Sequence, residues 1–160
     1  MESLMHIETE RKFLVKDDSW KKDEIQRHTI RQGYIAHDSG NTVRIRIQDE
    51  RGILTIKGPT HFGMSRQEWE TEVSLRDAEE LFNLTKSGRI EKIRHIVPAG
   101  NGRKWEIDEF LGDNEGLVMA EIELGGPSEH FDRPSWLGEE VTGDKRYYNS
   151  ALSVMPFKSW

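Results

Sequence analysis

Polar and apolar residues alternate along most of this chain with a period of two, the mark of strands with one apolar and one polar face. Residues 42–48 do so almost without fault, Val43, Ile45 and Ile47 opposing Arg44 and Arg46. Residues 6–15 set Glu8, Glu10 and Lys12 against Ile7, Thr9, Arg11, Phe13 and Val15. Residues 26–36 read as a strand, and Gly33 within it predicts a bulge or a close backbone approach. Residues 53–57 set Thr55 and Lys57 against Leu54 and Ile56, and from Ser65 onward Arg66, Glu68, Glu70 and Glu72 oppose Gln67, Trp69, Thr71 and Val73. Three more strands follow. They place Lys92 and Arg94, then Glu106 and Asp108, then Glu121 and Glu123, each opposite an apolar face.

The period changes once clearly. Between Ser74 and Ser87, Leu75, Ala78, Leu81, Phe82 and Thr85 recur at helical spacing, with Ser74 as N-cap and Gly88 at the exit. A short helical turn is expected at 17–22. Beyond Gly125-Gly126-Pro127 the tail reads as helical in pieces, including Ser135-Trp136-Leu137, residues 144–148 and residues 149–155. Short Gly- and Asn-bearing connections such as Asp38-Ser39-Gly40-Asn41 imply antiparallel pairing. The expected fold is α+β, with about eight antiparallel strands, a few flanking helices and a helical C-terminal tail in one domain spanning 1–160.

Composition narrows the function. Hydrophobic residues make up 34% of the 160, enough to cover about one side of a sheet. The absence of cysteine excludes disulfides and thiolate metal sites and fits a cytoplasmic location. No basic-then-apolar leader and no apolar run of about 20 residues is present, so no membrane segment is expected. A net charge of −6 argues against nucleic acid or acidic membranes as partners.

The charges are sorted by sign along the strands, where an ordinary solvated face mixes them. Glu8 and Glu10, two residues apart on a strand, lie only about 7 Å from each other and invite a divalent cation. If about eight strands close into a barrel, these single-sign ladders face one another across its interior, and the apolar faces look outward. Such a bore suits a polyanion carrying divalent metals, since basic groups take phosphate oxygens and carboxylates take the cations.

Glu8-Thr9-Glu10-Arg11-Lys12 matches the E-x-E-x-K signature of the CYTH, or triphosphate tunnel metalloenzyme, superfamily. Arg44-Ile45-Arg46, Leu54-Thr55-Ile56-Lys57-Gly58, residues 65–70, Glu91-Lys92-Ile93-Arg94, Glu106-Ile107-Asp108, residues 120–123 and Asp144-Lys145-Arg146-Tyr147 resemble its other blocks in its order. The chain most resembles short bacterial inorganic triphosphatases. One departure is Thr9, where an apolar residue is expected on the outer face.

The resemblance implies an eight-stranded antiparallel tunnel that hydrolyses a small-molecule triphosphate, most simply inorganic tripolyphosphate, with Mg2+ or Mn2+. It assigns the phosphate oxygens to Lys12, Arg44, Arg46, Lys57, Lys92 and Arg94, with Lys145 closing over one mouth. Glu8, Glu10 and Glu123 lead as metal ligands, and Glu121, Glu68, Glu70 and Asp108 follow. Catalytic roles fall to Lys12, to Tyr34 as its matching tyrosine, and to Glu121 beside a metal-bound water. Lys12 ranks first as a phosphate ligand, because neighbouring carboxylates oppose the depressed pKa a base needs. Adenylate cyclase, thiamine or nucleoside triphosphatase activity and non-catalytic polyphosphate binding stay open, as does a homodimer. The six histidines lack metal spacing, and Arg11 is expected to meet solvent. Trp69 and Trp105 are expected to pack the outside, and Tyr147 and Tyr148 to anchor the tail without chemistry.

Overall fold

In a computed structural model, residues 6–61, 64–85 and 88–160 are described. The strands are β1 (His6–Val15), β2 (Gln26–Asp38), β3 (Asn41–Gln48), β4 (Arg51–Lys57), β5 (Ser65–Val73), β6 (Ile90–Gly100), β7 (Arg103–Phe110), β8 (Val118–Leu124) and β9 (Leu137–Glu140). Two α-helices, α1 (Leu75–Phe82) and α2 (Asn149–Leu152), join short 3-10 turns at Ser19–Asp23 and Lys145–Tyr147. Every strand pairing is antiparallel, in the order β5-β4-β3-β2-β6-β7-β8-β1, and β5 pairs back onto β1 to close the barrel. Ser39-Gly40 and Asn101-Gly102 make tight hairpins with positive φ at both central residues, the turn whose twist matches its strands.

The ninth strand departs from the expected tail, in which Ser135-Trp136-Leu137 read as helical. β5 pairs with β1 only at His6–Thr9, and β9 pairs with it near Phe13 and Val15. Here the free edge of β1 overrides local preference, since its unpaired N–H and C=O groups demand partners. The later tail is helical in pieces, as expected.

Helix α1 begins where the pattern places it, Ser74 Oγ accepting from the Asp77 N–H at 3.0 Å. It stops at Phe82, whose carbonyl accepts from Thr85 Oγ1 at 2.7 Å and from Arg89. Residues 86 and 87, in the predicted helix, lie outside those described. Gly33 meets this segment: a Cβ there would come within 2.5 Å of Thr85 Cγ2. The β2–β3 register also shifts between Tyr34 and Ala36, so the predicted close approach and bulge coincide.

The apolar core lies outside the barrel. Phe13, Trp105, Ile107 and Ile122 project outward and pack beneath Phe131 and Trp136, whose rings meet Trp105 edge-on at 5.8 and 5.4 Å. Thr9, the departure from the family pattern, is buried there with its hydroxyl 2.8 Å from that of Ser65. Arg11 meets solvent only in part. Its guanidinium forms a forked pair with Glu140 on β9 at 2.8 and 2.6 Å and lies over the Phe131 ring, which leaves it half-buried.

Inward positions turn apolar at one end. Ile90, Phe110 and Met119 share the inner faces of the charged strands, yet they pack with Leu14, Val141, Tyr147 and Leu152. On that side the charged bore ends on a floor partly built by the tail. Among the described residues, no helix is long and apolar enough to cross a membrane.

Candidate active site

Closure gathers most inward charges by sign into two half-barrels, although Lys12 (β1), Arg66 (β5) and Lys104 (β7) lie on the acidic side. Glu68 and Glu70 (β5), Glu8 and Glu10 (β1), Glu121 and Glu123 (β8) and Glu106 (β7) come from four adjacent strands. Lys57 (β4), Arg44 and Arg46 (β3) and Lys92 and Arg94 (β6) come from the remainder, where β2 contributes the neutral Gln32 and Tyr34. Both halves line one cavity of about 390 Å³.

In the acidic half, Glu10 stands opposite Glu123 in the ladder, and Glu106 stands opposite Glu121. Burial, reinforced by Glu121 and Glu8, pushes the Glu10 carboxyl up to about 8. Burial also raises Glu8, against the pull of Lys57 at 2.8 Å. Lys57 lies 3.6 Å from Glu68 as well. Glu121 goes the other way: against its burial, Lys12 at 3.4 Å holds it well below the ordinary carboxylate range. Glu70 accepts from Thr55 at 3.2 Å, and Glu123 sits exposed at the cavity's edge. These carboxylates suit a hard cation in donor type, and at Glu10 burial and the neighbouring carboxylates outweigh the pull of Lys57 and Lys12. Among the described residues, no three are gathered into a ready cage, so a guest would have to complete any coordination shell.

The basic half is short of negative charge. Burial, together with Arg44 and Arg94, lowers the Arg46 guanidinium to about 9. Burial lowers Lys92 to about 7 with Arg94 and Arg46 assisting, although Asp108 lies 2.7 Å away. Arg94 binds both Asp108 oxygens at 2.8 and 2.9 Å and reaches Glu106 at 3.1 Å. Lys12 keeps a raised pKa despite burial, because Glu121 and Glu10 favour its charged form.

All but two of the expected site residues line the cavity. Asp108 is almost fully buried behind it, both oxygens engaged by Lys92 and Arg94. Lys145 is exposed on the tail and lies outside the lining. Several lining residues were not singled out by the sequence pattern. Tyr148, expected only to anchor the tail, lies under the Lys12 ammonium at 5.3 Å, and Tyr147 accepts from Lys12 through its carbonyl at 3.2 Å. Asn149, Thr142, Thr55, Arg66 and Lys104 line the cavity as well. For Thr55 and Arg66 the parity signal existed, since each shares a face with a chosen neighbour. The tail residues carried none. Of the histidines, His95 is buried on the outer face between Glu24 and Glu109 and against Trp20, as a structural residue would be.

The sequence model of the CYTH domain matches residues 6–156. This chain belongs to the CYTH family. An inorganic triphosphatase of Acetivibrio thermocellus is 44% identical to this CYTH chain over 158 residues, covering 98% of this chain and 99% of that protein. An inorganic triphosphatase of Nitrosomonas europaea is 35% identical over 150 residues, covering 92% and 97%. The crystal structure of an inorganic triphosphatase superposes with a TM-score of 0.66 at 32% identity, covering 91% of this chain and 97% of that one.

Proposed function

We propose that this CYTH protein hydrolyses the terminal phosphoanhydride bond of inorganic tripolyphosphate, yielding pyrophosphate and orthophosphate, with Mg2+ or Mn2+. One observation carries the reading: a single cavity is lined both by a buried guanidinium held by a neutral amide, Arg46, and by the crowded carboxylates Glu8, Glu10 and Glu121. A metal-bearing polyphosphate suits both, and the relatives named as inorganic triphosphatases support that substrate.

Lys12, Arg44, Arg46, Lys57, Lys92 and Arg94 grip phosphate oxygens, and charge neutralisation by them supplies much of the acceleration. Glu8, Glu10, Glu121 and Glu123 would hold the divalent cation, with Glu68 and Glu70 as further donors. When bound, that ion supplies Lewis acidity and lowers the pKa of the attacking water. Asp108 leaves this set, because its oxygens are engaged in anchoring Lys92 and Arg94. Lys145 also leaves it, being outside the cavity. Lys12 stays protonated and acts as a ligand rather than a base. Glu121, kept ionised beside Lys12, orients the water, and Tyr34 lies within electrostatic reach of the same lysine.

Phosphate release from tripolyphosphate, ATP and thiamine triphosphate, each with Mg2+, Mn2+ or EDTA, tests this. Release from tripolyphosphate with metal and none in EDTA is expected. Cyclic AMP from ATP would assign a cyclase instead, and tight binding without release would leave a polyphosphate-binding module.

A further inference from the structure

Between the tail and the basic half runs a chain of hydrogen bonds through two neutral amides. Asn149, the first residue of α2, accepts at Oδ1 from Lys92 Nζ at 2.8 Å and from Gln32 Nε2 at 3.0 Å. Gln32, with no exposed surface, accepts at Oε1 from Arg46 Nε at 2.8 Å. Chemistry dictates both amide orientations: lysine and arginine only donate, so each amide oxygen must face its cation, and the Gln32 NH2 is left to meet Asn149.

Asp108 anchors the neighbouring Lys92 and Arg94 with full charge. Arg46 instead has Arg44 and Arg94 as its strongest charged neighbours and receives an uncharged acceptor. A carboxylate at position 32 would bind the guanidinium more strongly, but it would also cancel the charge an incoming phosphate needs. An amide sets the plane of the guanidinium and leaves its charge intact.

We propose that Gln32 and Asn149 are positioning residues, a neutral bracket that ties Arg46 to Lys92 and aligns both for a phosphate chain without cancelling the charge of Arg46. This deepens the triphosphatase reading and rests on it. The bracket joins β2, β3 and β6 to the tail, so correct seating of α2 becomes a condition for a competent basic wall.

The test compares wild type, Gln32→Met, Gln32→Glu and Asn149→Ala by steady-state kinetics on tripolyphosphate with Mg2+ and by calorimetric binding of tripolyphosphate in EDTA. Gln32→Met and Asn149→Ala are expected to raise Kd and KM about tenfold, with kcat falling by less. Gln32→Glu is expected to raise both further than Gln32→Met does. A purely structural role predicts the reverse order, because glutamate keeps the bond to Arg46. That reverse order, or wild-type Kd and KM in folded variants, overturns the proposal. Melting curves establish folding, and Asn149→Ala, at a half-buried site, decides the matter if the Gln32 variants do not fold. A wild type that neither binds nor cleaves tripolyphosphate defeats the triphosphatase reading. A wild type that does both, with variants that match it, defeats the bracket alone.

Discussion

Glu10 on β1 stands directly opposite Glu123 on β8, a like-charge pair across one ladder of the barrel. Such pairs destabilise a sheet. Burial and the further charges of Glu121 and Glu8 sharpen the conflict at Glu10. A divalent cation between these carboxylates, as proposed above, would relieve the strain.

The conflict sets a pH dependence. Burial and the neighbouring carboxylates push Glu10 up to about 8 in the fold, above the ordinary carboxylate range, so the folded state holds a proton that the unfolded state releases. Stability of the metal-free protein is therefore expected to fall as pH rises from 5 to 7, by an amount on the order of a few kcal/mol. Glu8, also raised by burial, acts in the same direction, whereas Glu121 and Asp108, both shifted down, act below this window and Lys92 acts above it. Melting temperature against pH in EDTA should show the decline, and Glu10→Gln should make it clearly shallower while reducing turnover at least about a hundredfold. A flat wild-type profile would remove Glu10 from this role.

Arg46 presents the converse trade. Burial beside Arg44 and Arg94 makes it costly without an anion. Arg46→Met is expected to raise the melting temperature of the ligand-free protein by a few degrees and to weaken tripolyphosphate binding by about two orders of magnitude. Scanning calorimetry and titration calorimetry measure the two effects; a lower melting temperature with unchanged affinity would contradict both halves.

Asp108 holds two buried cations at once. Asp108→Asn should cost about 3–5 kcal/mol in denaturant unfolding, because Lys92 and Arg94 lose their buried counter-charge. A loss under about 1 kcal/mol would show that these cations find other partners.

Gly33 is a steric requirement. Gly33→Ala places a methyl within 2.5 Å of Thr85 Cγ2 and is expected to destabilise by about 1–3 kcal/mol. Thr85→Ser removes that Cγ2 while keeping the hydroxyl that bonds to Phe82, so the double variant should recover most of the loss. Additive losses would place the strain elsewhere.

Much of the site was legible in the chain because charge and parity are local. Once residues 42–48 alternate, Arg44 and Arg46 must share a face, and the same holds for Glu8 with Glu10 and for Glu121 with Glu123. What escaped detection was uncharged or recruited from far away. Gln32 and Thr55 share inner faces with marked residues yet carry no charge to draw notice. Tyr148 and Asn149 reach Lys12 and Lys92 only because the tail folds back more than 50 residues in sequence. β9 is not legible in the chain, since Leu137-Gly138-Glu139-Glu140 has no strand pattern of its own and is extended by the open edge of β1.

The sequence by itself determined which side chains share a face, and hence two sets of opposite sign that cannot both be solvated at ease. Tertiary structure alone decided that β5 returns to β1, which turns those faces inward upon one another. It also decided that burial moves Glu10 up and Arg46 down, and that the tail supplies the floor and the amide bracket. Strand parity follows from the backbone of each segment. Closure, desolvation and contacts between distant residues exist only when the whole chain is assembled.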